Sequence, residues 1–183
     1  PLARHSRRIT RASGQAVVFS RVVSSSSSGC SLLPVPMLEF TGPTVGVRGS
    51  RQLVGRYTLT AEDILERRKF PDTIAHSGYP IDIHSPDGEG TKAVFMSEPG
   101  TYYSIPYSIM VCDSISNLLV TGRCVSATFE AQAAIRLTPS AGAMGQAAGV
   151  AAAMAAAAEG NTREVNIQTL QRTLVDQGAY LEL

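Results

Sequence analysis

Asn117-Leu-Leu-Val-Thr-Gly-Arg-Cys-Val-Ser-Ala-Thr-Phe-Glu-Ala-Gln-Ala-Ala-Ile-Arg136, continuing through Pro139 to Gly145-Gln-Ala-Ala-Gly149, is the stretch on which the fold turns. Residues 117–121 form a brief apolar run that closes at Gly122, the pattern of a buried strand followed by a turn. Thr138 then reads as a helix cap. Pro139 reads as the first helical residue, where no amide is needed, and the helix is expected to continue to about Glu159 and stop at Gly160. Ala141 to Ala158 carries no charge, a length that on its own would suit a membrane span. Most of these residues are Ala, interrupted by Gly142, Gly145, Gln146 and Gly149, so little hydrocarbon is available for burial in lipid. Small residues instead let a helix come close to a neighbouring backbone or a ligand, which makes this a closely packed internal helix. A strand, a glycine turn and a glycine-rich helix start together direct amides and a positive dipole end toward one place, which suits an anionic or electron-rich ligand. Steric packing alone accounts for the same glycines.

Outward from this stretch, a last helix is expected from about Ile167 to Gln177. Asn166 caps it, Ile167, Leu170 and Leu174 lie on one face, and Gly178 ends it. On the amino-terminal side, Thr60 followed by Ala61, Glu62 and Asp63 has the form of a helix cap with acids in the first turn, and that helix should end before Pro71. Between them, Tyr79 to His84, Lys92 to Met96 and Tyr102 to Val111 are β-rich runs punctuated by Gly and Pro, which predicts antiparallel strands and turns. The fold class that follows is α/β, or α+β for this chain taken in isolation.

The formal net charge of +1 hides an asymmetry. Residues 1–38 hold five Arg and no acid, whereas the remainder has 11 basic and 15 acidic residues. Residues 1–43 combine scattered Arg with the serine run Ser24 to Ser28, without the apolar periodicity that ordering a backbone needs, and read as a basic, Ser-rich tail, disordered or non-native. An organelle transit peptide has this composition, but the amphipathic pattern is weak, and a cytoplasmic location is the expectation. A secretory signal is not indicated, because Ser20 and Arg21 interrupt its only apolar run. Cys30, Cys112 and Cys124 are widely spaced and odd in number, which argues for a reducing compartment over a disulfide scaffold or zinc site. Neither a metal cluster nor the interleaved aromatics of a nucleic-acid groove can be read in the sequence.

The 117–149 stretch resembles the second flavin-contacting motif of FAD-dependent oxidoreductases. Further similarity lies at Val47 to Thr60, at Gly78-Tyr-Pro-Ile-Asp-Ile-His84, at Tyr103-Ser-Ile-Pro-Tyr107 and at Arg163 to Tyr180, in the family's order. The resemblance implies that residues 44–183 are the carboxy-terminal part of a two-domain FAD-binding fold, a β-rich substrate-domain segment with an Ala/Gly-rich helix packed by a strand. It implies FAD as the cofactor and hydride transfer between an organic substrate and flavin as the activity. Gly122, Arg123 and Cys124 would form the cofactor-binding turn, with Ser126 and Ala127 beside it. Gly145, Gln146 and Ala147 would lie near the carbonyl edge of the flavin. The Gly-x-Gly-x-x-Gly turn that cradles the pyrophosphate in such proteins does not occur here. The expected partners are therefore a small-molecule substrate and either the missing dinucleotide-binding half or a second copy of the chain, with no nucleic acid and no membrane. The competing reading is a non-catalytic remnant or interaction module that does not retain FAD.

Four residues stand out as candidates for the chemistry. Arg48 and Arg51, with Arg56 nearby, offer bidentate contacts to a carboxylate or phosphate, although Gly49 and Gln52 depart from the family's usual Glu and Arg. His84 is a candidate proton carrier, ahead of His76. Tyr107 and Tyr103, on either side of Pro106, are candidates to line a substrate pocket, with core packing as the alternative. Arg136, alone in an apolar run, is expected to pair with a carboxylate or to reach the cofactor, with Asp82 and Glu130 as candidate partners.

Overall fold

The structure is a computed structural model that describes residues 16–17, 20–23, 37–41, 46–84, 91–94 and 100–182. The chain divides into two units, Pro1–Ser50 and Arg51–Leu183. In the first, β1 (Ala16–Val17) pairs antiparallel with β4 (Gly46–Val47), and β2 (Ser20–Val23) pairs antiparallel with β3 (Met37–Thr41). The basic, Ser-rich segment expected as a tail falls largely outside the described residues, and β1 to β3 are the parts of it that are described.

The second unit begins its regular structure at Thr60. The Thr60 hydroxyl accepts from the amide of Asp63 while the Asp63 carboxylate accepts from the amide of Thr60, a capping box that starts α1 (Ala61–Leu65). The helix is one-sided, burying Asp63 and Ile64, and it has ended well before Pro71. Next comes β5 (Thr73–Ser77), which pairs antiparallel with β8 (Tyr103–Pro106) through a register shift between Thr73 and Ala75. Between them, β6 (Ile81–His84) and β7 (Thr91–Val94) form an antiparallel pair with His84 opposite Thr91. The run from Tyr102 to Val111, expected as one strand, is strand only as far as Pro106. Proline brings no amide to the ladder, and the chain turns through a 3₁₀ segment, Tyr107–Ile109, held by Asp72.

Residues 117–121 are not the buried strand that their composition suggested. Asn117 and Thr121 are exposed and Leu118 to Val120 half-buried, and Val120 donates to the Met110 carbonyl at 2.9 Å, with no strand pairing to the run among the described residues. An apolar run becomes a strand only where a neighbour supplies a ladder. The buried extended piece lies after the glycine turn instead. Val125 to Ala127 runs beside the 53–59 segment, with Leu53 donating to Cys124, Leu59 to Ser126 and Thr128 to Leu59 at 2.8, 3.1 and 2.8 Å.

Thr128 then caps α2 (Phe129–Ile135), a helix that the sequence reading did not single out. Residues 131 to 135 are all buried, so no polar face marks its period. After it comes α3 (Thr138–Ala156), whose N-cap is Leu137; Thr138 is a helical residue and not the cap. The helix buries one stripe, Ser140, Met144, Ala147, Ala151 and Ala155, against β5 and α4 (Ile167–Asp176). It ends at Ala156, and Glu159 and Gly160 follow with positive φ. Asn166 caps α4 as expected, and Leu170 and Leu174 are buried. Gln171 of α4 donates from Nε2 to the Pro71 and Thr73 carbonyls at 3.0 Å each, which ties the last helix to β5. Helices with short antiparallel strand pairs are compatible with the α/β class. Among the described residues no helix is long and apolar enough to cross a membrane.

Candidate functional site

The glycine turn is present. Gly122–Cys124 is a 3₁₀ turn entered from extended Thr121, and Gly122 has φ +72°, a conformation that other L-residues adopt only with strain. Among the described residues, a Cβ built on Gly122 meets no atom within 4 Å, so one side of the backbone there faces open space. Arg123 and Cys124 are exposed, and α3 lies beside the turn.

The turn is braced from beneath. Ser126 is 2% exposed and its hydroxyl lies 2.9 Å from that of Thr58. Gly55 sits under it so closely that a Cβ would come 2.8 Å from the Ser126 Cβ and 3.2 Å from the Ile109 carbonyl. Gly55 and Thr58 are the supporting residues that reading by motif passed over. A single glycine between Val54 and Arg56 carries no local signal of close approach, although the resemblance did include their segment.

The remaining cofactor candidates separate by burial. Ala127 and Ala147 are core residues, at 6% and 0% exposure, and their side chains, like that of Ser126, pack inside the fold. Gly145 and Gln146 are exposed, but they lie in the interior of α3, seven residues or more after its start at Thr138. Gln146 donates to the Gln177 side chain at 3.1 Å. The start of α3 has Leu137 at the N-cap, which offers no side-chain acceptor, and no acid in its first turn. A helix of that length with no such cap leaves its positive end for another acceptor.

The candidates for the chemistry are scattered. Arg48 belongs to the first unit and is partly buried, whereas Arg51 belongs to the second and is exposed. Arg56 is paired, its Nε donating to Asp113 at 2.6 Å and its NH1 to the Arg163 carbonyl at 3.2 Å. The backbone of His84 closes β6, and its side chain lies outside the described residues. Tyr107 is buried, its hydroxyl donating to the Thr162 carbonyl at 2.7 Å, and burial pushes its pKa up to about 12. Tyr103 is similar, fully buried with its hydroxyl 3.3 Å from the Ala134 carbonyl, and burial raises it to about 12 as well. Both are therefore neutral hydrogen-bond donors to the backbone at any ordinary pH. Arg136 reaches Asp82 as its place in an apolar run required, through the backbone carbonyl at 3.2 Å.

These residues fit an FAD contact from one side. The open face at Gly122 and the start of α3 without a side-chain cap are surfaces that an anionic, planar cofactor could meet, whereas the side chains of Ser126, Ala127 and Ala147 are buried away from any such contact. Comparison with the curated proteins and with the solved structures found no match. The model of the FAD dependent oxidoreductase family matches residues 14–174, which takes in the glycine turn, α2, α3 and most of α4. The chain belongs to the FAD-dependent oxidoreductase family.

Proposed function

We propose that this chain supplies the second flavin contact of an oxidoreductase that transfers hydride between an organic substrate and FAD, and that a dinucleotide-binding half outside this sequence supplies the phosphate cradle. The observation that carries the reading is Gly122, with φ +72° and open space on its outer side, next to α3. A second observation supports the division of labour. Leu118 to Val120 is an apolar run left half-exposed beside the turn, as a strand is when the sheet it belongs to is elsewhere.

When bound, FAD supplies the ring that accepts or gives up the hydride. The work of this chain is positioning. Gly122 lets the backbone approach without a side chain in the way, and the 53–59 segment fixes the height of the turn through Gly55 and the Thr58–Ser126 pair. The start of α3 places its positive end without a competing side-chain acceptor. Such an end is worth about 0.3–1 kcal/mol per charge at an exposed site, enough to tune a bound anion but not to hold it. The buried tyrosines take no proton-transfer role in this account, because their hydroxyls already serve backbone carbonyls.

The alternative, a remnant that folds without retaining flavin, is favoured by the closed core of the second unit, in which Ala147, Ala151, Leu170 and Leu174 are buried. Purification in excess FAD followed by visible spectroscopy separates the two. A bound-flavin spectrum, from this chain alone or after adding a dinucleotide-binding half from the same family, supports the proposal. A colourless protein under both conditions would leave the remnant reading standing.

A further inference from the structure

The end of the described chain crosses β5 at His76. The backbone amide of Glu182 donates to Nε2 of His76 at 3.3 Å, while Nδ1 on the other side of the ring lies 3.3 Å from the hydroxyl of Ser104, which is 1% exposed. The ring sits between two tyrosines, with centroid distances of 4.6 Å to Tyr102 and 6.2 Å to Tyr180. The Glu182 carboxylate is shared by Lys69 Nζ at 3.3 Å and the Tyr180 hydroxyl at 3.3 Å, and Lys69 lies 4.1 Å over the Tyr102 ring. Beside the ring is a half-open cavity of about 210 Å³, with His76 of β5, Gln146 of α3 and Tyr180 among its walls.

Only a neutral imidazole can accept at Nε2, since both ring nitrogens of the cation are donors. The latch between Glu182 and His76 therefore exists in one protonation state. We propose that residues 179–182 are a pH-sensitive strap, latched against β5 while His76 is neutral and released when His76 takes up a proton.

The surroundings set the direction. Burial holds the His76 pKa below its ordinary value, Lys69 adds to this, and the Glu182 carboxylate and the Tyr103 carbonyl oppose it. Tyr102 and Tyr180 are the other titratable groups on the ring, and Tyr102 is held up to about 12 by its hydrogen bond to Glu182. From α3 the cavity receives Ala143 and Gln146, which carry no charge. Because the latched form has the lower pKa, the strap is fully closed above the free histidine value of about 6.5 and opens as pH falls from there through the lower, latched value. Nothing in this depends on flavin, so it stands or falls separately from the function proposed above.

Hydrogen exchange of the whole chain, followed by mass spectrometry of the carboxy-terminal peptide at pH 7.5 and 5.0 and corrected for the intrinsic pH dependence of exchange, tests it. The wild-type strap is expected to lose protection several-fold at the lower pH, with β5 and β8 unchanged. His76→Gln keeps a side-chain acceptor that does not titrate, and the step should vanish with the strap still protected. Glu182→Pro removes the donor amide, and the strap should be open at both values. A wild-type strap equally protected at both values, or a step that persists in His76→Gln or Glu182→Pro, overturns the proposal.

Discussion

The hydroxyl of Tyr57 donates to Oδ2 of Asp63 over 2.7 Å, and that carboxylate, although 2% exposed, also closes the capping box of α1 and meets Arg68 NH1 at 2.8 Å. One buried acid thus holds together a helix start, an aromatic side chain and a surface cation. Asp63→Ala is expected to lower unfolding free energy by about 2–3 kcal/mol, the sum of a lost cap and a charge-assisted hydrogen bond. Tyr57→Phe should cost about 1 kcal/mol, because it removes one of these contacts and leaves the cap. Urea denaturation of the three proteins checks the order, and equal losses would mean that the cap contributes nothing.

Tyr107 was a candidate for catalysis, but its hydroxyl is spent on the Thr162 carbonyl, and Thr162 in turn donates to the Ser116 and Leu118 carbonyls. Tyr107→Phe is expected to cost about 1 kcal/mol of stability and to leave flavin retention unchanged. If the variant keeps its stability but loses turnover in a flavin-loaded preparation, the hydroxyl serves chemistry after all.

The two glycines at the turn fail for different reasons. Gly122→Ala meets no neighbour but must hold φ +72°, which costs about 1–2 kcal/mol. Gly55→Ala has an ordinary backbone but would force a methyl to 2.8 Å from the Ser126 Cβ, with carbonyls at 3.1 and 3.2 Å that cannot give way, and should cost about 3 kcal/mol. Denaturant midpoints compare them directly. A smaller loss at Gly55 than at Gly122 would mean that the 53–59 segment is not packed against Ser126 as described.

Local chemistry explains which parts of this fold were legible in the sequence. Thr60 and Asn166 announced their helices because a cap is decided within four residues, and both caps are present. Gly122 announced its turn for the same reason. Residues 118–120 misled, because a strand is made by its neighbour and apolar composition cannot say whether one exists. α2 was not singled out because Ala131 to Ile135 is buried on every side, leaving no polar period to read. Arg136 was legible in its need for a partner near Asp82, although it found the backbone carbonyl. Tyr107 was not, since an aromatic beside a proline looks the same in a pocket and in a core.

The outer face of α3 decides what its glycines are for. Among the described residues, nothing lies within 4 Å of where a Cβ on Gly142, Gly145 or Gly149 would stand, so none of them requires the smallness of these glycines. Inside a helix each such glycine is less stable than alanine by about 0.5–1 kcal/mol. Replacing the three by Ala should therefore raise the urea midpoint of this chain. Under the function proposed above, the cofactor or its neighbouring half comes close to this face, and flavin retention should fall in the same triple variant as the methyls fill the approach. The two measurements must move in opposite directions, stability up and flavin-to-protein ratio down. If both rise, the face is a surface that the cofactor and its neighbouring half do not use, and the turn at Gly122 must account for the flavin contact without it.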